Sequence, residues 1–205
     1  MAHGLIVGQT ESGKTIMSKM IACAVIKDGY DCIVLDPIGD PEWYEILESK
    51  PDQVGAHGFV TADPWTFNSM LWNSKRCFCF VDESGENAGH YDKQFFPWAT
   101  RSRHWGHSVF FIAQRYQMIA PTIRNQARYL FMFNQSSTDA LLLSQEFNKE
   151  ELRNGSLPQF HYLFATRFQP VVKGEVKIIN DWRAYRVKGL TIGTAFANQI
   201  VKEVG

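Results

Sequence analysis

Two runs of residues in this chain could do phosphate chemistry. The first, Gly8-Gln9-Thr10-Glu11-Ser12-Gly13-Lys14-Thr15, follows the apolar run Leu5-Ile6-Val7 and opens an amphipathic stretch. It fits the pattern G-x4-G-K-[ST], the Walker A motif. Glycines let a backbone wrap an anion and point its N–H groups at the oxygens, and a helix starting near Lys14 would add its positive end. Lys14 can reach β- and γ-phosphates as a point charge, and the Thr15 hydroxyl can ligate Mg²⁺. A plain Gly/Ser turn between strand and helix would not call for Lys and Thr side by side at the helix start. The second run, Cys77-Phe78-Cys79-Phe80-Val81-Asp82-Glu83, is an apolar strand closing on two carboxylates, the Walker B pattern. Asp82 would hold Mg²⁺ through its water, and Glu83 would polarise the attacking water as a general base. The plainer reading is a solvated strand end with ordinary acids.

Gln114 directly follows the apolar run Val109–Ala113. A polar side chain at such a strand end can sit between the metal-bound water and the γ-phosphate and report nucleotide state; otherwise it is a Gln in a surface loop. The adjacent Glu83 sets the chain among P-loop enzymes with a catalytic glutamate, apart from GTPases and kinases, and the strand at Cys32–Leu35, between the two motifs, agrees with that division. A small-molecule kinase fits poorly, because Glu83 would have no clear task.

The elements needed to hold these groups can be read from periodicity. Thr15–Lys27 reads as a helix, with Ile16, Met20, Cys23 and Ala24 on one face and Gly29 placed to end it. Helices are also expected at Pro41–Lys50, Trp65–Asn73, Tyr91–Arg103 (against Pro97), Pro121–Arg128 and Ser137–Phe147. Strands are expected at Cys32–Leu35, Phe59–Val60, Cys77–Val81, Val109–Ala113 and Tyr129–Phe133. Such alternation implies a mostly parallel sheet covered on both faces. From Phe160 onward the pattern changes, and Phe160–Arg167 and Val176–Asn180 read as antiparallel strands extending one edge. Thr191–Val204 reads as a helix that packs on the core or on a partner. The fold expected is α/β, a RecA-like P-loop NTPase core with extra antiparallel strands at its C-terminal side. With no linker in sight, residues 1–205 are expected to form one P-loop ATPase domain, with no N-terminal accessory domain.

Apolar residues make up 45% of the 205, enough for a sizeable core, and 21 basic residues balance 21 acidic ones. Zero net charge gives no whole-molecule pull toward a polyanion, yet it hides a separation. Asp28 to Asp63 holds nine acids and one base, Lys50, whereas Lys93 to Thr138 holds no acid. The latter stretch carries Lys93, Arg101, Arg103, Arg115, Arg124 and Arg128, interleaved with Phe95, Phe96, Trp98, Trp105 and Tyr116. These arginines suit a neighbouring subunit's γ-phosphate or a nucleic-acid backbone; the plain alternative is solubilising charge. His104 and His107 lack a third metal ligand nearby. Cys23, Cys32, Cys77 and Cys79 read as buried free thiols of a reducing compartment, with Cys77-Phe78-Cys79 expected to turn its thiols to opposite sides of a strand. There is no signal peptide and no span-length apolar stretch, so a soluble, cytoplasmic protein is expected.

The run Thr100-Arg101-Ser102-Arg103-His104-Trp105-Gly106-His107-Ser108-Val109-Phe110-Phe111-Ile112-Ala113-Gln114-Arg115 resembles the FtsK–HerA superfamily of DNA-pumping ATPases. There, an Arg-rich turn with a Gly leads into a strand ending in Gln. Pro121-Thr122-Ile123-Arg124-Asn125, Phe133-Asn134-Gln135-Ser136-Ser137 and Leu35-Asp36-Pro37 extend the resemblance, which covers roughly residues 4–150. Without membrane segments, long linkers or an N-terminal barrel, the chain is most similar to the genome-packaging ATPases of tailless, membrane-containing viruses. That resemblance implies a ring of five or six subunits threading double-stranded DNA, with ATP and Mg²⁺ between neighbours and capsid or portal-vertex proteins as further partners. It also implies a place in the host cytoplasm or at the packaging vertex. By position it makes Lys14, Thr15, Asp82, Glu83 and Gln114 the core site. It makes Arg103 or Arg101 the finger acting on a neighbour, with Arg124 as a second candidate. Asp36-Pro37-Ile38-Gly39-Asp40 lacks the basic residue some relatives carry there, so no DNA contact is assigned to it. Two other readings stay open: a cellular DNA-transfer ATPase with the same core, and a nucleotide-dependent assembly switch that does not pump.

Overall fold

The computed structural model describes residues 2–83 and 96–188. Its nine described strands are β1 His3–Val7, β2 Cys32–Leu35, β3 Val54–Gly55, β4 Gly58–Thr61, β5 Phe78–Val81, β6 Ser108–Ala113, β7 Ala127–Met132, β8 His161–Thr166 and β9 Val172–Glu175. They form one sheet in the order β3-β4-β2-β5-β6-β1-β7-β8-β9. From β4 to β7 all neighbours are parallel. Strand β3 on one side, and β8 and β9 on the other, run antiparallel to their neighbours.

The central strands are short continuous apolar runs because helices cover both faces. Alternate residues feed two cores. Phe78, Phe80, Phe110, Ile112, Ile6 and Phe131 face helices α1 (Lys14–Lys27), α2 (Pro41–Leu47) and α7 (Trp182–Lys188). Cys79, Val81, Val109, Phe111, Leu5 and Leu130 face α3 (Pro64–Asn73), α4 (Pro97–Thr100), α5 (Pro121–Arg124) and α6 (Ser137–Phe147). On the α1 side the rings of Phe78 and Phe80 stack on Phe110 at 6.4 and 5.5 Å between centroids, which fastens β5 to β6 through side chains as well as backbone. A buried ion pair ties the helices of that face together. Lys19 of α1, 2% exposed, donates to Asp40 and to Glu42 (2.6 Å), and its ammonium lies 5.8 and 5.9 Å from the rings of Trp43 and Trp182. A charge so buried is tolerable only with such partners.

Several element boundaries differ from the sequence reading, each for a local reason. Helix α2 stops at Leu47 because Glu48 turns left-handed (φ 49°), and α3 begins one residue early because the Asp63 side chain accepts from Thr66 N (2.8 Å) as its cap. In place of a helix over Tyr91–Arg103, the described part shows the single turn Pro97–Thr100 and then a 3-10 turn, Ser102–Trp105, ended by Gly106 at φ 76°. Residues 91–95 lie outside the described residues, as does Thr191–Val204. Helix α5 is one turn, Pro121–Arg124, because Ala127 and Arg128 already pair as β7. The last strand is Val172–Glu175 and not Val176–Asn180, since Val176 turns inward to the α1-side core. All four cysteines are free and buried, but Cys77 and Cys79 lie in the same core, because residues two apart along a strand share a face.

His3, at the start of β1, is fully buried and accepts a hydrogen bond from Val109 N at Nδ1 (3.0 Å). Burial, then the charge of Arg103, pushes its pKa down to about 3. The folded chain therefore holds this proton less tightly than the unfolded chain. The stability His3 lends is complete above pH 6.5 and is lost as pH falls toward 3. Denaturant titrations from pH 7 to 4 should show a slope of up to about 1.4 kcal/mol per pH unit from this group. His3→Asn, which keeps an acceptor, should remove that part of the slope, and an unchanged slope would contradict the assignment.

Candidate nucleotide site

Six parallel strands end at one edge of the sheet, and the sequence motifs meet there. The loop Gly8–Gly13 leaves β1 beside the end of β6, with Gly8 N donating to Ala113 O (3.2 Å). Two of its glycines are required by space. A Cβ on Gly8 would lie 2.5 Å from Phe133 Cβ, and Gly13 sits at φ 110° where a Cβ would meet Val176 Cγ2 at 2.7 Å. Helix α1 starts at once with Lys14 and Thr15, so its free N–H groups and these two side chains face the mouth of the loop. Lys14 Nζ donates to Gln9 O within the loop (2.9 Å). Gln9, Thr10 and Glu11 are exposed, whereas Ser12 is buried.

Asp82 follows β5 directly and is 8% exposed, its N–H bonded to Leu35 O (2.9 Å). Burial pushes its carboxyl up to about 6. A hydrogen bond from Glu83 N (2.8 Å) and the charge of Lys14 pull the other way, while Asp36 and Glu83 add to the rise. Lys14 is lowered by burial and raised again by Asp82 and Glu83, which puts the three charges within electrostatic reach of one another. Glu83 holds a left-handed backbone (φ 47°), a conformation that costs a non-glycine residue about 1–2 kcal/mol and recurs at functional sites.

Strand β6 lies between β1 and β5, so Gln114, exposed at its end, emerges between the phosphate loop and the acidic pair. The strand that separates the two motifs in space is therefore β6. Strand β2, which separates them in sequence, lies outside β5.

The arginines lie elsewhere. Arg101 and Arg103 precede β6, and Arg124 precedes β7, so all three stand at the edge opposite the motifs. Six residues of β6 put about 20 Å between the two edges. None of the three serves the nucleotide end of its own chain. Arg101 and Arg103 are exposed, Arg103 donating to Gln126 Oε1 (2.6 Å). Arg124 is turned inward. It is 6% exposed, paired with Glu146 (3.2 Å), and its guanidinium carbon is 4.6 Å from the ring centre of Tyr116. In that position it braces α6 and reaches no neighbouring surface.

Three residues outside the two motifs complete the loop. Asn134 O accepts from Gln9 N (2.9 Å) and Asn134 Nδ2 donates to Gln9 Oε1 (2.8 Å). Phe160 N donates to Ser12 O (3.1 Å), and Gln159 Nε2 to Glu11 O (3.2 Å). Asp36, buried beside Asp82, accepts from the backbone N–H groups of Ile38 and Asp40 and so shapes the turn after β2. A cavity of about 300 Å³ opens between the loop and the turn before β8.

Asp82 is a buried acid held in its costly ionised form near neutral pH. The Asp82→Asn variant should be more stable than the parent without nucleotide, by about 2–3 kcal/mol at pH 7.5, because it removes the burial cost that raises this carboxyl to about 6. It should lose nucleotide hydrolysis. Thermal unfolding and turnover measured together check this, and a less stable variant would contradict the electrostatic account.

No family model matches the chain, and no curated protein matches it in sequence. Solved structures do match in fold. The genome packaging NTPase B204 from Sulfolobus turreted icosahedral virus 2, in complex with AMPPCP, superposes with a TM-score of 0.68 at 18% identity, covering 86% of this chain and 98% of that one. VirB4 of Thermoanaerobacter pseudethanolicus gives 0.65 at 11% identity, covering 89% and 91%. The pCW3 conjugation coupling protein TcpA, with ATPγS, gives 0.53 at 17% identity, covering 85% and 59%. At these identities the likeness is one of fold, and the fold of these proteins is the fold of this chain.

Proposed function

We propose that this chain is an ATP-driven nucleic-acid translocase whose subunits share their catalytic sites in a ring, and that it packages double-stranded DNA into a viral capsid. The observation that carries this reading is the division of the sheet into two unlike edges. One edge gathers Lys14, Thr15, Asp82, Glu83 and Gln114. The other presents Arg101 and Arg103, which their own nucleotide end cannot use. Part of the surrounding charge divides the same way, while Asp31 before β2 and Arg115 after β6 run against it. Asp36, Asp40 and Asp63 follow the ends of β2 and β4, while Lys75, Arg76, Arg103 and His104 precede β5 and β6. Edges of opposite sign suit a head-to-tail contact between copies, and such contacts close into rings.

The acidic end fits Mg²⁺. Asp82 is a buried carboxylate whose ionised form lacks full compensation, Thr15 offers a second hard oxygen, and no three His, Cys, Asp or Glu side chains among the described residues are grouped as a metal cage. That donor set suits an ion bound through one or two protein oxygens and phosphate. Thr15 and Asp82 would hold it, and when bound it would neutralise charge on the β- and γ-phosphate oxygens. The chain's own residues do the rest. Loop N–H groups and Lys14 fix the phosphates in line, Glu83 accepts a proton from the attacking water, and Gln114 orients that water. An arginine from the adjoining subunit then stabilises the charge that spreads over the transferred phosphoryl group.

Packaging is favoured over the alternatives by extent of match. The match spans nearly all of B204, a packaging NTPase, but 59% of the conjugation protein TcpA. A DNA-transfer role keeps its own support in the match to TcpA, a conjugation coupling protein, which covers 85% of this chain. Among the described residues no helix is long and apolar enough to cross a membrane.

The ATPase rate per subunit should rise with protein concentration and with added double-stranded DNA. A rate indifferent to both would favour the switch reading. Glu83→Gln should bind ATP normally and slow turnover by roughly 10²–10⁴-fold.

Arg103→Ala should also bind ATP, fold normally, and lose turnover. An equimolar mixture of Arg103→Ala with Glu83→Gln should regain activity, because an intact Glu83 in one subunit then faces an intact Arg103 in the next. A dead mixture would exclude Arg103 as the shared residue. Arg124→Ala should instead cost stability, on the order of 3 kcal/mol, by removing the cation from Glu146 and leaving its carboxylate the Tyr116 hydroxyl as partner.

A further inference from the structure

The phosphate loop accounts for one end of the cavity beside it, and the other end is of different character. Glu11, Gly13, Lys14 and Thr15 of the loop and helix start line the charged end, and Ile16, Gln159 and Phe160 line the rest. At about 300 Å³ the cavity falls at the low end of small-molecule sites, roughly 300–1,000 Å³.

Phe160 is held in place by its backbone on both sides. Its N–H donates to Ser12 O (3.1 Å), and its carbonyl accepts from Val176 N (2.8 Å). It sits at φ 64°, and its ring lies close enough to the loop that a Cβ on Gly13 would be 3.2 Å from Cδ1. Beside it the Gln159 amide is bonded to Glu11 O. The turn before β8 is thus tied to the loop by two hydrogen bonds and by the ring packed near Gly13, and Phe160 lines a cavity that includes the loop's lysine. No chemistry assigned so far to phosphates, water or neighbouring arginine uses Phe160.

Resting on the nucleotide reading above, we infer that the nucleobase of the bound nucleotide lies in this cavity against Phe160, making it the base-binding residue of the site. A flat π-system attached to a triphosphate is the ligand that matches a cationic, N–H-lined end joined to an aromatic, aliphatic end. Stacking of a base on an aromatic ring is worth about 1–3 kcal/mol. Inorganic polyphosphate would gain nothing from the aromatic end.

The test compares two probes, inorganic tripolyphosphate and a non-hydrolysable ATP analogue, by calorimetry on the parent, Phe160→Leu and Phe160→Trp. In Phe160→Leu the analogue should bind about tenfold more weakly, while tripolyphosphate affinity stays within about twofold. KM for ATP should rise with kcat nearly unchanged. Phe160→Trp should restore analogue binding, with an added fluorescence signal quenched by the analogue and not by tripolyphosphate. Equal losses for both probes in Phe160→Leu would show that the ring merely supports the loop and would overturn the inference, as would no loss for either. A parent protein that binds tripolyphosphate and the analogue equally well would also overturn it. A parent that binds neither would overturn the nucleotide reading itself, and this assignment with it.

Discussion

Parallel strands all end on the same side, and that constraint governs the rest of this molecule. Backbone N–H and C=O groups satisfied along the ladders run out together at the strand ends, and polar side chains collect where the chain must turn. Here β1, β6 and β5 lie side by side, so a glycine loop, a glutamine and an acidic pair that are scattered over a hundred residues of sequence emerge as neighbours. The same constraint sends the segments that lead into those strands to the far side, which is where Arg101 and Arg103 stand. A single chain with this topology has its glycine loop and acidic pair on one edge and Arg101 and Arg103 on the other.

The glycine loop between β1 and α1 and the acidic pair after β5 were legible in the sequence because each is a local device whose backbone requirements are written in consecutive residues. The buried strands were legible as apolar runs, and Ser137–Phe147 as a helix with Ser136 as its cap, accepting from Asp139 N. What depends on distant pairing was not legible. Nothing in Gln159-Phe160 marks it as a partner of the loop, because the contact exists only once β8 has come back antiparallel to β7. The final strand was placed four residues late for a related reason. Val172–Glu175 is mostly exposed and lacks an apolar run, while the apolar Val176 beyond it is spent on the core next to Gly13. Asn134 stood within the stretch that resembles the superfamily, but its bonds to Gln9 are tertiary. Arg124 looked like its exposed neighbours in the charge pattern; only packing against Tyr116 and Glu146 distinguishes it.

Several features of the site run against stability. Asp82 is ionised in a buried place, Glu83 occupies a left-handed backbone, and Lys14 is partly desolvated. They sit on a frame that is otherwise well satisfied: two apolar cores, stacked aromatic rings across β5 and β6, and a buried lysine with two acidic partners. Rigid surroundings are what allow such groups to persist in unfavourable forms until a ligand compensates them.

The ties between the loop and the β8 turn also bear on how the protein is made. Glu11 and Gln159 are separated by 148 positions, and Gly13 rests on Val176. During synthesis the loop emerges well before the turn that holds it, which follows 148 positions later. Contacts of such long range form late and slowly. A nascent chain therefore has its glycine loop unbraced until the turn before β8 has been made and has folded back on it.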